Sequence, residues 1–428
     1  MDALYIISVT EISPFVYAEN KAFDIMTAAN RDLIRAINRF NILNAIRSDG
    51  RLSRTDIARH TGLSQASVTG ITAELIEEGL LKETAMGASE GGRRPVLLAL
   101  DPDGAGALGV YLSISQISVV IIDFEATVKA AYHMPLEKPY YAPEELVNKT
   151  VQAIQACMWE GNFSKDRIAG VGVAVPGLVD SQTGKVRFLP NYQWSEVHLR
   201  DMLQSEIDHP TYIDNSANTL TISEQWFGEG RGLDNFALIT LEHGIGMGLV
   251  INGQLFRGDK GIAGEVGHLT VDPRGPVCRC GRRGCLEALA GNYAILRDAC
   301  QAAQDGLWSP PDPDHIAIET VLAAAQAGEP VLRRIYAEAG RVLGTAVANL
   351  AKILNPGKIF ISGRGTAAGA MLFDPMFAIM PDTISDKLES DPEVIVKPWG
   401  QTDYARGAGV LVLQEIYKHP VSRMMPLI

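Results

Sequence analysis

His268, Cys278, Cys280 and Cys285 fall within GIAGEVGHLTVDPRGPVCRCGRRGCLEA, residues 261–288, which holds three of the chain's five cysteines. A Cys-x-Cys pair, a third thiol and an upstream imidazole supply four soft or borderline ligands, the donor set of a closed tetrahedral zinc site. One structural Zn2+ per chain is the expectation, with Gly281 and Gly284 letting the chain turn back so that three sulfurs face one ion. The competing reading is three buried or disulfide-bonded cysteines, which a chain without a secretion-signal pattern does not favour. Four protein ligands leave no open coordination position, so such an ion would shape a loop and not activate water. Glu265 and Glu287 flank the cluster. A folded loop could aim both carboxylates at one small polar ligand, although either could equally be a solvated surface residue.

The chain that must position these groups is long enough, at 428 residues, for about three domains. Its hydrophobic content of 46% is that of a globular protein. The sequence contains no run of eighteen apolar residues, and Asp2, Glu11 and Glu19 occupy its start without a basic leader. A cytoplasmic protein without membrane insertion is expected. The net charge of −12 argues against a generally basic nucleic-acid coat, but residues 28–100 alone carry +2.

That segment is set apart in pattern as well. Residues 1–27 show no clean period and are read as an N-terminal arm. From Asn30, apolar residues at three- and four-residue steps (Leu33, Ile34, Ile37, Phe40, Leu43) predict a helix ending at Asp49-Gly50. A capping Ser53 opens a short helix over 53–60, Thr61-Gly62-Leu63 connects, and Ser64 caps a second helix with Val68, Ile71 and Leu75 on one face. This is a helix-turn-helix. Its second helix would present Ser64, Gln65, Ser67, Thr69 and Thr72 to base edges in a major groove. Strand-like runs at 80–84 and 96–100 flank a glycine-rich tip that ends in Arg93-Arg94-Pro95. Such a wing suits arginines entering a narrow minor groove. The alternative is a helical oligomerisation module with a basic turn.

A linker at 101–104 introduces a different texture. Strand-like stretches at 108–123, 168–176, 236–252 and 358–363 interleave with helical ones at 142–158, 292–303 and 331–354, and Gly407-Ala408-Gly409 would open a terminal helix. This alternation predicts an α/β fold. Two strand-rich halves suggest two lobes with a cleft between them.

The segment GEVGH followed by CRCGRRGCLE, with the glycine pattern over 244–268, resembles the ROK family of repressors, open reading frames and sugar kinases. The resemblance covers nearly everything from residue 28 to 417. It implies an actin-like, hexokinase-like domain of two ribonuclease-H-like lobes over 104–428, and the winged helix-turn-helix over 28–100 places the chain with the family's repressor branch. By motif it implies a metal bound by His268, Cys278, Cys280 and Cys285, and a sugar held by Gly177, Asn191, Asn215, Glu265, His268 and Glu287. Carboxylates and amides that accept and donate in pairs suit a hydroxyl-rich ligand.

Family kinases open with an Asp-x-Gly-x-Thr phosphate loop, whose place is taken by Tyr111-Leu112-Ser113-Ile114-Ser115. Their catalytic Asp in Asn-Asp-Ala-Asn is replaced by Ser216, which cannot accept a proton as a carboxylate does. Glu242-His243-Gly244 stands where Gly-Thr-Gly is usual, and Arg364 interrupts the last glycine cluster. Asp214 could be offered as a substitute base, two positions from the expected one. The expectation is therefore a non-enzyme: a repressor of carbohydrate uptake or catabolism genes, binding operator DNA as a homodimer or homotetramer, with a monosaccharide or sugar-derivative effector. The alternatives are a bifunctional sugar kinase with a DNA-binding head and a regulator controlled by a protein partner.

Overall fold

The computed structural model describes residues 34–86, 95–102, 104–138, 140–383 and 392–417. They fall into two compact units, one running to Gly104 and taking in the chain from Gln414, the other spanning Ala105–Leu413. The end of the chain, read from the sequence as part of the second domain, is thus grouped with the first, where the Arg47 guanidinium lies 5.8 Å from the centre of the buried Tyr417 ring.

In the first unit, helix α1 covers 34–49. Strand β1 (Leu52–Ser53) leads into α2 (Arg54–Thr61), whose N-terminus is capped by Ser53 accepting from the Asp56 amide. Gly62 at φ 71° closes α2, and Ser64 caps α3 (Gln65–Glu77) by accepting from the Ser67 amide. Strands β2 (Leu81–Met86) and β3 (Val96–Leu100) pair antiparallel, and β1 adds to the far edge of β3. Val68, Ile71 and Leu75 of α3 pack inward with Ile42, Leu43, Ile46 and Ile57 fully or nearly buried, each apolar side chain contributing about 1.5–3 kcal/mol by leaving water. The winged helix-turn-helix expected from the sequence is present, with the wing tip and its Arg93 and Arg94 outside the described residues.

The second unit repeats one topology. Strands β4 (Gly106–Leu112), β5 (Gln116–Ile122) and β6 (Val128–Pro135) form an antiparallel meander. Helix α4 (Pro143–Glu160) then precedes β7 (Ile168–Val175), which pairs parallel to β4. The small sheet β8 (Leu178–Asp180), β9 (Lys185–Leu189) and β10 (Trp194–Val197) follows, then α5 (Leu199–Ile207) and β11 (Thr211–Asn215), giving the order β11-β7-β4-β5-β6. After α6 (Ser216–Phe227), strands β12 (Phe236–Leu241), β13 (Ile245–Ile251) and β14 (Gln254–Leu255) make the second meander. Helices α7 (Leu286–Ala290), α8 (Asn292–Gln304), α9 (Ile318–Ala327) and α10 (Pro330–Leu354) cover this second sheet. Strand β15 (Lys358–Ser362), α11 (Ala370–Thr383) and β16 (Glu393–Val396) complete the order β14-β13-β12-β15-β16. These are the two lobes anticipated, each with its own apolar core.

The stretch 108–123 resolves into two strands, because Ser113 turns the chain: its hydroxyl donates to the Gln116 carbonyl at 2.8 Å and accepts from the Gln116 amide at 3.0 Å. The terminal helix α12 (Asp403–Ile416) begins earlier than the glycines suggested. Those glycines instead mark close packing: a Cβ on Gly109 would come within 1.9 Å of the Ala405 carbonyl oxygen, and one on Gly172 within 1.8 Å of that of Ala408. Side chains at these sheet positions would push α12 off the first lobe.

Candidate functional site

The cleft of the second unit has a volume of about 450 Å3 and is walled by the ends of β4, β7, β12 and β13, the N-termini of α6, α8 and α9, and the loop over 263–287. In that loop the donor atoms of His268, Cys278, Cys280 and Cys285 lie within 4.8 Å of one another. The sulfurs of Cys280 and Cys285 are 3.7 Å apart, and the Cys278 sulfur is 3.6 Å from His268 Nδ1. Around an ion with metal–sulfur bonds of about 2.3 Å, tetrahedral ligands stand roughly 3.8 Å apart, so the cluster fits a tetrahedral ion. All four residues also fit the ion by charge type, and the 3.7 Å separation excludes a disulfide, leaving all five cysteines as free thiols. Gly281 and Gly284 sit at φ 84° and 63°, and a Cβ on Gly284 would come within 1.5 Å of the Asp272 carbonyl oxygen, so the tight return needs glycine there.

His268 connects the cluster to the cleft. Its Nδ1 faces the thiols while Nε2 lies 3.8 Å from Glu265 Oε2. Burial pushes the Glu265 carboxyl above the usual carboxylate range, and Glu287 pushes it the same way, with His268 opposing. Glu287 is buried at the start of α7: its Oε2 accepts from the Ile245 amide at 3.1 Å, and its Oε1 from Arg279 Nη2 at 2.9 Å. On the facing wall, Asn215 caps α6 by accepting from the Ala217 amide at 2.8 Å and donates from Nδ2 to the Gly177 carbonyl at 2.9 Å. Gly177, Asn215, Glu265, His268 and Glu287 therefore line one cleft. Asn191 lies in the short turn Pro190–Tyr192, and its side chain is outside the described residues.

The positions expected from the kinase phosphate loops line the same cleft and make contacts within the chain. Tyr111 stacks on Tyr404 with ring centres 4.5 Å apart. The amides of Ser115 and Gln116 donate to the Ser113 hydroxyl at 3.4 and 3.0 Å. Glu242 and Arg364, noted separately in the sequence, are a single interaction: the Arg364 amide donates to Glu242 Oε1 at 2.9 Å, and its Nε lies 3.7 Å from Oε2. Burial raises the Glu242 carboxyl's pKa, and Arg364 opposes that shift. Ser216 lines the cleft at the first turn of α6.

Sequence reasoning missed Arg279, hidden between two cysteines, and Glu319, which α9 brings to the cleft mouth without any motif. Within the helix-turn-helix, one expected base-reading residue is displaced. Thr72 is fully buried, accepts from Arg54 Nε at 3.1 Å and donates to the Thr69 carbonyl at 3.2 Å. Its place in the helical period puts it beside Val68, on the inner stripe. Gln65 and Thr69 are exposed, Ser67 is half-buried, and Ser64 is committed to capping.

Two family models match the chain, ROK family over residues 107–415 and winged helix-turn-helix DNA-binding over residues 35–82. The chain is 33% identical to a xylose repressor of Caldicellulosiruptor bescii over 81% of its own length and 88% of the relative's. A crystal structure described as a ROK family transcriptional regulator, homolog of the E. coli MLC protein, superposes with a TM-score of 0.77 at 27% identity, covering 92% of this chain and 98% of that one. A ROK family glucokinase from Streptomyces griseus in complex with glucose and AMPPNP superposes at 0.64 and 27% identity, over 72% of this chain and 99% of the kinase. Among the described residues, no helix is long and apolar enough to cross a membrane.

Proposed function

This chain belongs to the ROK family, and on that premise we propose that it is a sugar-responsive, DNA-binding repressor of carbohydrate uptake or catabolism genes whose kinase-like domain senses a sugar and leaves it unchanged. The observation that carries this reading is the internal pairing of the residues that stand in place of the kinase phosphate loops. The Ser113 hydroxyl accepts from the Ser115 and Gln116 amides and the Glu242 carboxylate from the Arg364 amide, so these amides are not offered to a triphosphate, while the sugar side keeps its polar lining.

In this reading, Gln65 and Thr69 of α3 read bases in the major groove, and Arg93 and Arg94 supply charge at the wing. Asn215, Glu265, His268 and Glu287 orient the sugar hydroxyls, with Gly177 and Asn191 completing the wall. His268, Cys278, Cys280 and Cys285 hold one Zn2+, whose charge fixes the loop that carries Glu265 and Glu287. A homodimer places two reading heads on one operator. The effector acts by favouring one lobe arrangement, which requires a difference in affinity between arrangements.

The test pairs selection of bound sites from random duplex DNA with a melting-temperature screen of monosaccharides and their derivatives, since a ligand of the native state raises the melting temperature by mass action. Selection of a sequence motif whose binding is altered by the sugar identified in the screen is the expected result. Failure to select any motif, with the full chain folded, rejects the reading.

A further inference from the structure

Arg279 stands between Cys278 and Cys280 in the chain and beside the Glu287 carboxylate in space. Its Nη2 donates to Glu287 Oε1 at 2.9 Å, while the other carboxylate oxygen accepts from the Ile245 amide at 3.1 Å. The same Oε1 lies 3.8 Å from the Cys278 sulfur. Glu287 is 5% exposed, and burying a carboxylate is costly unless a cation and hydrogen bonds compensate. A metal-bound cysteine is a thiolate, so in the metal-loaded loop an anionic sulfur faces Glu287, and the cation matters more.

The guanidinium is itself held in place. Its carbon is 4.6 Å from the centre of the Tyr293 ring, whose hydroxyl donates to the Cys278 sulfur at 3.8 Å. The Tyr293 amide donates to the His243 carbonyl at 3.1 Å, tying the first turn of α8 to the turn between β12 and β13. In that turn a Cβ on Gly244 would come within 1.9 Å of Glu287 Oε2 and 2.9 Å of Arg279 Nη2, so glycine leaves room for the pair. A planar guanidinium can lie on a ring and still donate to a carboxylate at its edge, which an ammonium cannot reproduce.

We propose that Arg279 is a positioning residue for sugar binding: anchored in the metal loop and laid on Tyr293, it holds the Glu287 carboxylate in the orientation presented to the cleft. The inference rests on the sugar-sensing reading above and adds the route by which the metal loop acts on the sugar wall. The Cys-x-Cys turn fixes the backbone on both sides of Arg279, Tyr293 fixes its guanidinium, and the guanidinium fixes one oxygen of Glu287. Partners of this kind, one contact removed from the ligand, commonly matter to binding almost as much as the residues that touch it.

The experiment is calorimetric titration of the zinc-loaded full chain with D-xylose, D-glucose, N-acetyl-D-glucosamine and the 6-phosphates of the last two, with zinc content measured for every protein. The proteins are the parent, Arg279→Gln, Arg279→Lys, Glu287→Gln and the double variant Arg279→Gln with Glu287→Gln. For the sugar that the parent binds, Arg279→Gln should keep its zinc and bind about tenfold or more weakly. Arg279→Lys should recover part of that loss, since it restores the charge without the planar fork. The double variant should bind no more weakly than Glu287→Gln alone, because Arg279 acts through Glu287. Parent-like affinity in Arg279→Gln overturns the inference and leaves the sugar-sensing reading standing. So do losses that multiply in the double variant, which would make Arg279 a direct sugar contact, and so does loss of zinc from both Arg279 variants, which would make it part of the loop's own fold. If the parent binds none of these sugars, the sugar-sensing reading falls and the inference with it.

Discussion

Asp214, two residues from Ser216, is gripped by Arg257 through two hydrogen bonds to one oxygen, Nε at 2.9 Å and Nη2 at 2.7 Å. Its other oxygen accepts from Asn218 Nδ2 at 2.8 Å and from the Asn215 amide at 2.7 Å. A carboxylate committed on both oxygens has no lone pair aimed at a sugar hydroxyl, so Asp214 is a structural anchor and not a substitute base. A coupled assay with ATP, magnesium and the bound sugar should give no turnover above a no-enzyme control. Ser216→Asp should not restore it, because amides at the phosphate-loop positions remain engaged by Ser113 and Glu242. Turnover by the unmodified chain, abolished by Glu265→Ala, would make the kinase reading correct.

Elemental analysis should find about one zinc per chain. Cys280→Ser, or a strong chelator, should lower the melting temperature and sugar affinity together, because the loop from His268 to Cys285 begins three residues after Glu265 and leads into Glu287. Sugar binding that survives full metal removal would refute this.

The two exposed residues of α3 and its buried threonine should part company on mutation. Thr72→Ala removes the acceptor for Arg54 and should cost about 1–3 kcal/mol of stability. Gln65→Ala and Thr69→Ala should stay within about 0.5 kcal/mol of the parent and change which bases are preferred, as read by site selection. Equal shifts in base preference from all three would return Thr72 to the reading face.

Arg39 of α1 and Glu78, just past α3, form an ion pair that holds the Glu78 carboxyl below its ordinary range. A carboxyl whose pKa is lowered in the folded state adds stability above its unfolded value of about 4.3, and that stability is lost as pH falls through the lower folded value. Because the pair is partly exposed, Glu78→Gln should cost at most about 1 kcal/mol at pH 7, and the deficit should disappear toward pH 3. Urea unfolding of both proteins at the two pH values measures it; an equal deficit at both assigns the effect to packing.

Local rules carried the sequence reading a long way. The caps at Ser53 and Ser64, the apolar stripe of Val68, Ile71 and Leu75, and the Cys-x-Cys spacing are interactions between near neighbours, so the residues that form them are adjacent in the text. The metal cluster is legible for the same reason, with three of its ligands inside one short loop. What tertiary structure alone decided involves pairs far apart in the chain: Glu242 with Arg364, Asp214 with Arg257, Tyr111 with Tyr404, and Glu319 brought to the cleft by α9. Thr72 shows the limit within a single helix, since polarity suggested exposure while a partner from α2, Arg54, made burial tolerable. The sequence by itself determined that a winged helix-turn-helix is joined to a two-lobed sugar-kinase-like domain, and that the kinase motifs are altered. Folding decided which partners those altered residues take, Glu242 with Arg364 and Tyr111 with Tyr404, because a buried charge or ring takes its partner from whatever the fold brings near, at any distance along the chain.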